Sequence, residues 1–178
     1  MSEDITRYRG RYLSLVERDG WEFVSRSNAR GVVVIIAVTD EAEILFVEQY
    51  RKPLEARVLE LPAGLVGDHA DPGESIVEAA RRELLEETGY AAAGLEVLMS
   101  CPSSAGMSDE IITFVMATGL RRIGPGGGDA SEDIEVLPVP LERVDQWLAR
   151  QHAAAKAMDP KIYAALYWLR QSGHHWVS

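Results

Sequence analysis

Short apolar runs alternate with turn signals along most of the chain, and one segment breaks that rhythm with a helical period. GVVVIIAV and ILFVEQY predict two core strands over residues 32–38 and 44–50, joined by the polar stretch TDEAE. RVLELPAG at 57–64 reads as another short strand, ended by Pro62 and Gly64. Upstream, Asp19-Gly20 is turn chemistry between two short strands and predicts an N-terminal β-hairpin. GDHADPG, residues 67–73, is loop. Over 75–88 the period changes. Ile76, Ala80 and Leu84 recur at i, i+4 and i+8, Ser75 and Glu78 have capping-box spacing, and Gly89 is placed to end the helix. Strands are expected at 95–99 and 111–120, on either side of the loop CPSSAGMSDE. GPGGG at 124–128 predicts a very mobile segment, before a strand at 134–139 and helices over 142–151 and 159–171. AAAKA between those helices is helix-prone or a short connector.

This order is a strand-rich mixture of α and β elements without regular βαβ alternation, which argues against a Rossmann fold. No internal repeat and no long linker divides it. The expected layout is N-terminal strands over 1–30, a body over 31–172 and a flexible tail over 173–178.

Composition narrows the partners. The 178 residues suit one domain with a sizeable core, and 47% hydrophobic with 26% charged residues is neither disordered nor fibrous in character. Eighteen basic against 28 acidic residues give a net charge of −10, which argues against nonspecific binding to nucleic acid or to an anionic membrane. A few arginines in one pocket can still hold a nucleotide. A single cysteine, Cys101, permits no internal disulfide and fits a reducing compartment. The opening residues lack the apolar run of a signal peptide, and the longest apolar run, 32–38, is far short of the roughly 20 residues that span a bilayer. A soluble cytoplasmic protein is the expectation.

The chemistry concentrates in ESIVEAARRELLEETGY, residues 74–90. Glu83, Glu86 and Glu87 stand at i, i+3 and i+4, so their carboxylates leave one side of a helix, where like charges repel unless something compensates. A solvated acidic face is the plain alternative. Against it, LELPAG directly upstream ends in small residues that let a backbone carbonyl approach the helix, and a divalent cation bound by oxygen ligands would relieve the repulsion.

Residues 64–90 closely resemble the Nudix box. Glu74, seven residues, then Arg82-Glu83-Leu84-Leu85-Glu86-Glu87-Thr88-Gly89-Tyr90 match its second part completely. Nine residues separate Gly64 from Glu74, a longer loop than the family pattern has, read as an insertion around GDHAD. VEQYRKP followed by LELPAGLV, SEDIEVLPVPLERV at 131–144 and DPKIYAALYWL at 159–169 are similar to the ADP-ribose pyrophosphatase branch. The resemblance implies an α+β Nudix fold, an α/β/α sandwich with a mixed central sheet between helices. It implies hydrolysis of a nucleoside diphosphate linked to another group, with Mg²⁺ as cofactor (Mn²⁺ substituting), two or more ions per site. Glu83 and Glu87 look like the principal metal ligands, with Glu86, the Ala63 carbonyl and Glu132 completing the set. Arg82 and Glu74 look like the pair that orients helix and loop, with Gly64 and Gly89 structural. Arg51 looks like a phosphate-binding arginine, while Trp21, Phe23, Arg26, Gly106 and Met107 fall where the substrate is bordered. The branch also implies a two-fold homodimer whose N-terminal strands help form the site.

Two departures bear on the substrate. Ser103-Ser104-Ala105-Gly106 stands where the branch has Ser-Pro-Gly, and Ala130 occupies the usual general-base slot. The water-activating base is therefore open among Glu110, Glu132 and Asp129. The glycine run lacks the Lys-Ser/Thr of a P-loop and reads instead as a hinge that lets 129–133 close over substrate. His69, His152, His174 and His175 have no zinc-ligand spacing, and Cys101 is most simply a small buried hydrophobe. The leading expectation is cleavage of ADP-ribose to AMP and ribose 5-phosphate. The alternatives are GDP-mannose, UDP-glucose or NADH as substrate and, more remotely, a catalytically inactive nucleotide-binding regulator.

Overall fold

The computed structural model describes residues 3–67, 73–128 and 132–171. Expectations for His69, Asp129, Ala130, His174, His175 and the 173–178 tail lie outside the described residues, as does most of the loop insertion. The strands are β1 (Ile5–Arg9), β2 (Leu13–Arg18), β3 (Trp21–Arg26), β4 (Val32–Ala37), β5 (Glu43–Arg51), β6 (Ala56–Glu60), β7 (Ala63–Leu65), β8 (Tyr90–Pro102), β9 (Ile111–Arg122), β10 (Ile134–Pro140) and β11 (Ala157–Met158). The helices are α1 (Ile76–Thr88), α2 (Val144–Ala153) and α3 (Lys161–Gln171).

The strands form three sheets, ordered β1-β2-β3, β10-β5-β6-β11 and β7-β4-β9-β8. The third is mixed, since β4 runs parallel to β9 and antiparallel to β7. β4 explains why the sequence holds an unbroken apolar run: both of its faces are buried. Val34 and Ile36 enter a core shared with Ile44, Phe46 and Phe114 and closed by Val144 and Leu148 of α2 and Ile162 and Leu169 of α3. Val33, Ile35 and Ala37 enter a second core with Val115, closed by Ala79, Ala80 and Leu84 of α1. The mixed sheet thus lies between α1 on one side and α2 with α3 on the other, in the expected α+β sandwich class.

Several expectations change in detail. The N-terminal hairpin is a three-stranded sheet, because β1 pairs with β2 as β2 pairs with β3. Its Asp19-Gly20 turn has positive φ at both residues (52° and 79°), which matches the right-handed twist of the flanking strands. The 95–99 strand extends to Tyr90–Pro102, carried outward by pairing with β9. AAAKA is a connector in which Ala155 takes φ 55° and the chain then adds β11 parallel to β6. The largest correction concerns 124–128. This segment is strapped to the end of α1, with Gly127 and Gly128 N–H donating to the Glu87 and Glu86 carbonyls at 2.8 and 3.0 Å. No helix among the described residues is long and apolar enough to cross a membrane.

Candidate active site

α1 begins where Ser75 Oγ accepts the Glu78 N–H and the Glu78 carboxylate accepts the Ser75 N–H, so two otherwise unpaired donors are satisfied reciprocally. It ends at Gly89, φ 76°, whose N–H bonds to the Leu85 carbonyl. Between these ends, Arg82 gathers the acidic residues. Its Nε and Nη2 grip both oxygens of Glu74 at 2.8 and 3.1 Å, and its Nη1 donates to Glu83 at 2.7 Å and to Glu86 at 3.2 Å. Nη2 also donates to the Leu65 carbonyl at 3.0 Å. Glu74 and the Leu65 carbonyl are therefore tied to the helix by one guanidinium, and Glu74 Oε2 accepts the Gly67 N–H at 3.0 Å. This fork of charged bonds holds the guanidinium well above its ordinary pKa, through the Glu74 bonds first.

Glu83 and Glu87 face inward and are buried, while Glu86 is half exposed. Gly64 is required where it stands: a Cβ there would lie 1.8 Å from Glu83 Cδ. Glu87 is only 3% exposed and accepts the Ala63 N–H at 3.0 Å. Burial pushes its carboxyl well above the usual range; the Ala63 bond opposes this, the charges of Glu83 and Glu132 reinforce it, and Arg51 partly offsets it. Arg51 is itself paired with the buried Glu60, through Nε at 2.8 Å and through Nη2. The donor set consists of hard carboxylate oxygens carrying more negative charge than the nearby arginines cancel, chemistry that fits a divalent cation. As placed, Glu83 and Glu86 turn toward Arg82 and Glu87 toward Ala63. Among the described residues, no three Asp, Glu, His or Cys side chains form a ready cage for a metal ion.

Residues 28–168 match the NUDIX domain. The chain belongs to the NUDIX family. Among its curated relatives, the methanol dehydrogenase activator of Bacillus methanolicus is 37% identical over 79% of this chain and 72% of that protein. The ADP-ribose pyrophosphatase of Bacillus subtilis (strain 168) is 41% identical over 63% of this chain, a match spanning 59% of the relative, under two thirds of its length. Among solved structures, an ADP compounds hydrolase superposes with TM-score 0.72 at 25% identity, covering 97% of this chain and 95% of that one. Together these make the chain a NUDIX enzyme.

Around the NUDIX helix the expected residues fall into two groups. Glu74, Arg82, Glu83 and Glu86 are joined by the bonds above, Ala63 is bonded to Glu87 and Gly64 lies against Glu83, with Arg51 and Glu132 in the electrostatic field of Glu87. The second group lies on β3 and the loop before β9. Trp21 and Phe23, with Arg18, Ala105, Ser108 and Asp109, line a cavity of about 350 Å³. Arg18 lies over the Phe23 ring, 5.1 Å from its centroid. Arg26 is ion-paired with Glu110 at 3.0 Å. Val24 N–H donates to the Met107 carbonyl at 2.8 Å, so the loop docks on β3 by its backbone while Gly106 and the Met107 side chain stay exposed. Glu83, Glu86, Glu87 and Arg51 do not line this cavity.

The sequence reading missed Glu60 and the glycine strap. Glu60 was visible as the acid of LELPAG, but its partner was not: the β5–β6 register sets Glu60 opposite Val47 and Arg51 opposite Ala56, and only the Arg51 side chain, reaching back along the sheet, joins the two. Nothing local in GPGGG indicates what it docks against.

Proposed function

We propose that this NUDIX enzyme hydrolyses the pyrophosphate bond of ADP-ribose in a Mg²⁺-dependent reaction, giving AMP and ribose 5-phosphate. The observation that carries the reading is Glu87, a carboxylate almost wholly buried in the field of Glu83 and Glu132, an arrangement stabilised when a cation shares it. The pyrophosphatase and hydrolase names of its relatives support the bond class. Glu83 and Glu87 are the principal metal ligands in this reading, with Glu86, Glu132 and the Ala63 carbonyl completing the set, for two or more ions of Mg²⁺ or Mn²⁺. Bound there, the metal would neutralise pyrophosphate charge and lower the pKa of water.

The protein's own groups do the rest. Arg82 and Glu74 tie Leu65 and Gly67 to α1, and Arg51, steadied by Glu60, is the arginine this reading assigns to the phosphate oxygens. One water adds to a phosphorus, the bridging P–O bond breaks, and the bridging oxygen leaves with the other phosphate. The water's proton passes to a carboxylate, for which Glu132 is favoured: it lies in the field of Glu87, whereas Glu110 is held by Arg26. Trp21, Phe23, Arg26, Gly106 and Met107 border the nucleoside. The assembly is a homodimer over residues 1–30 and 31–172, working in the cytoplasm on a small nucleoside diphosphate derivative, without nucleic acid or membrane.

The test is product analysis by mass spectrometry with Mg²⁺ and ADP-ribose, GDP-mannose, UDP-glucose, NADH and a nucleoside triphosphate. Selective formation of AMP and ribose 5-phosphate, abolished by Glu87→Gln, is expected. A second reading keeps the bond and changes the sugar, because Ala105 and Ser108 of the departing loop form a wall of the cavity beside Trp21. Faster turnover of another nucleotide sugar would establish it. No turnover of any compound at saturating Mg²⁺ would overturn both and leave a binding regulator.

A further inference from the structure

The last carbonyls of a helix have no partner within it and are usually satisfied by the next few residues. In α1 the Leu85 carbonyl is met that way, by Gly89. The Glu86 and Glu87 carbonyls, on two residues whose side chains the proposed site uses, accept N–H bonds from Gly128 and Gly127, some forty positions further along the chain. The bond is returned, since Ile123 and Gly124 N–H both donate to the Gly89 carbonyl at 2.8 and 3.0 Å. The fit is close enough to exclude a side chain. A Cβ on Gly126, φ 71°, would stand 2.5 Å from the Thr88 carbonyl carbon and 2.8 Å from the Glu87 carbonyl oxygen. Four positions beyond the strap stands Glu132, whose Oε2 would lie 2.3 Å from a Cβ on Gly128. The strap thus touches the helix end that carries Glu86 and Glu87 and the segment that carries Glu132.

We infer that the 124–128 strap is a positioning device for the metal-ligating end of α1, with Gly126 its indispensable residue: it caps the Glu86 and Glu87 carbonyls and sets Glu132 against Glu87. Four backbone bonds and two positions too tight for a methyl group hold these parts in one register. The cavity beside Trp21 is lined by other segments, so loss of the strap acts on metal binding rather than on recognition of the nucleoside. The inference rests on the proposed metal-dependent hydrolysis.

The experiment compares wild type, Gly126→Ala and Val144→Ala. The last truncates a buried α2 residue in the other core and serves as a stability control. Hydrolysis of ADP-ribose is followed against Mg²⁺ concentration, with melting temperature measured in parallel. For Gly126→Ala the half-saturating Mg²⁺ concentration should rise about tenfold or more and kcat fall, with KM for ADP-ribose at saturating Mg²⁺ within about threefold of wild type. Val144→Ala should lose melting temperature without changing the Mg²⁺ dependence. A folded Gly126→Ala with the wild-type Mg²⁺ dependence would overturn the inference while leaving the proposed function intact; a wild type inactive at every Mg²⁺ concentration overturns the function first. Should Gly126→Ala not fold, amide hydrogen exchange in the wild type decides. The Gly127 and Gly128 amides should exchange at least about a hundredfold slower than free peptide and slow further with Mg²⁺. Exchange at the free-peptide rate would sink the strap.

Discussion

At the scale of the residue, the site is governed by one carboxylate kept where a charge is costly. Because burial and neighbouring acids raise the folded-state pKa of Glu87, the native protein binds a proton there over a pH range in which the unfolded chain has lost it. Without metal, this group's contribution to stability is therefore greatest at acid pH. It declines as pH rises from the ordinary carboxylate range through the raised pKa and levels off above it. Glu87→Gln removes that titration and keeps the shape. Its metal-free melting temperature should exceed that of wild type at pH 8, with the gap closing toward pH 5, while kcat falls about a hundredfold or more. A parallel pair of melting profiles would show that Glu87 is not the buried charge described. Gly64 makes the companion case: Gly64→Ala drives a methyl into Glu83 and should reduce activity more than tenfold with circular dichroism unchanged.

At the scale of the element, α1 was legible almost completely, because its signals are local. The Ser75–Glu78 cap and Gly89 each act within one turn, and the Ile76-Ala80-Leu84 stripe within little more than two. Ser75→Ala should cost about 1 kcal/mol in chemical denaturation, since the Glu78 N–H loses its acceptor. Activity should hold near the wild-type rate, because Arg82 and Glu74 anchor the functional part of the helix independently. A loss of several kcal/mol would mean that the cap also holds the Arg82–Glu74 pair in place. Strands β4 and β5 were legible from their apolar runs, but not their separation into different sheets, which depends on β9 arriving in parallel beside β4. The glycine run misled for a related reason. Glycine reports freedom in an isolated chain, whereas here its missing side chain permits a close approach to the end of α1.

At the scale of the whole molecule, the three-stranded N-terminal sheet stands apart from the two cores. It meets the body through β3, where Val24 N–H donates to the Met107 carbonyl and bridges Ser108 and where Ser25 Oγ donates to Asp109 at 2.9 Å. All five residues of β1 are exposed, and Ile5, Tyr8, Leu13 and Trp21 leave apolar surface open on this sheet. A lone copy would carry that surface in water, and a second copy offers self-complementary cover for it. The net charge of −10 on each chain opposes association, so added salt should favour the pair by screening repulsion. Sedimentation should therefore find a dimer that tightens between 20 and 300 mM NaCl, concentrations chosen to span Debye lengths of roughly 20 to 6 Å. Ile5→Glu combined with Tyr8→Glu should give a monomer with the body's melting transition intact, because neither residue enters either core. In that monomer KM for ADP-ribose should rise while the half-saturating Mg²⁺ concentration stays at its wild-type value, since Trp21 and Phe23 belong to this sheet and the acidic group on α1 does not. A monomeric wild type, or a dimer indifferent to both substitutions, would remove the N-terminal sheet from the interface and leave Trp21 to the cavity that it lines.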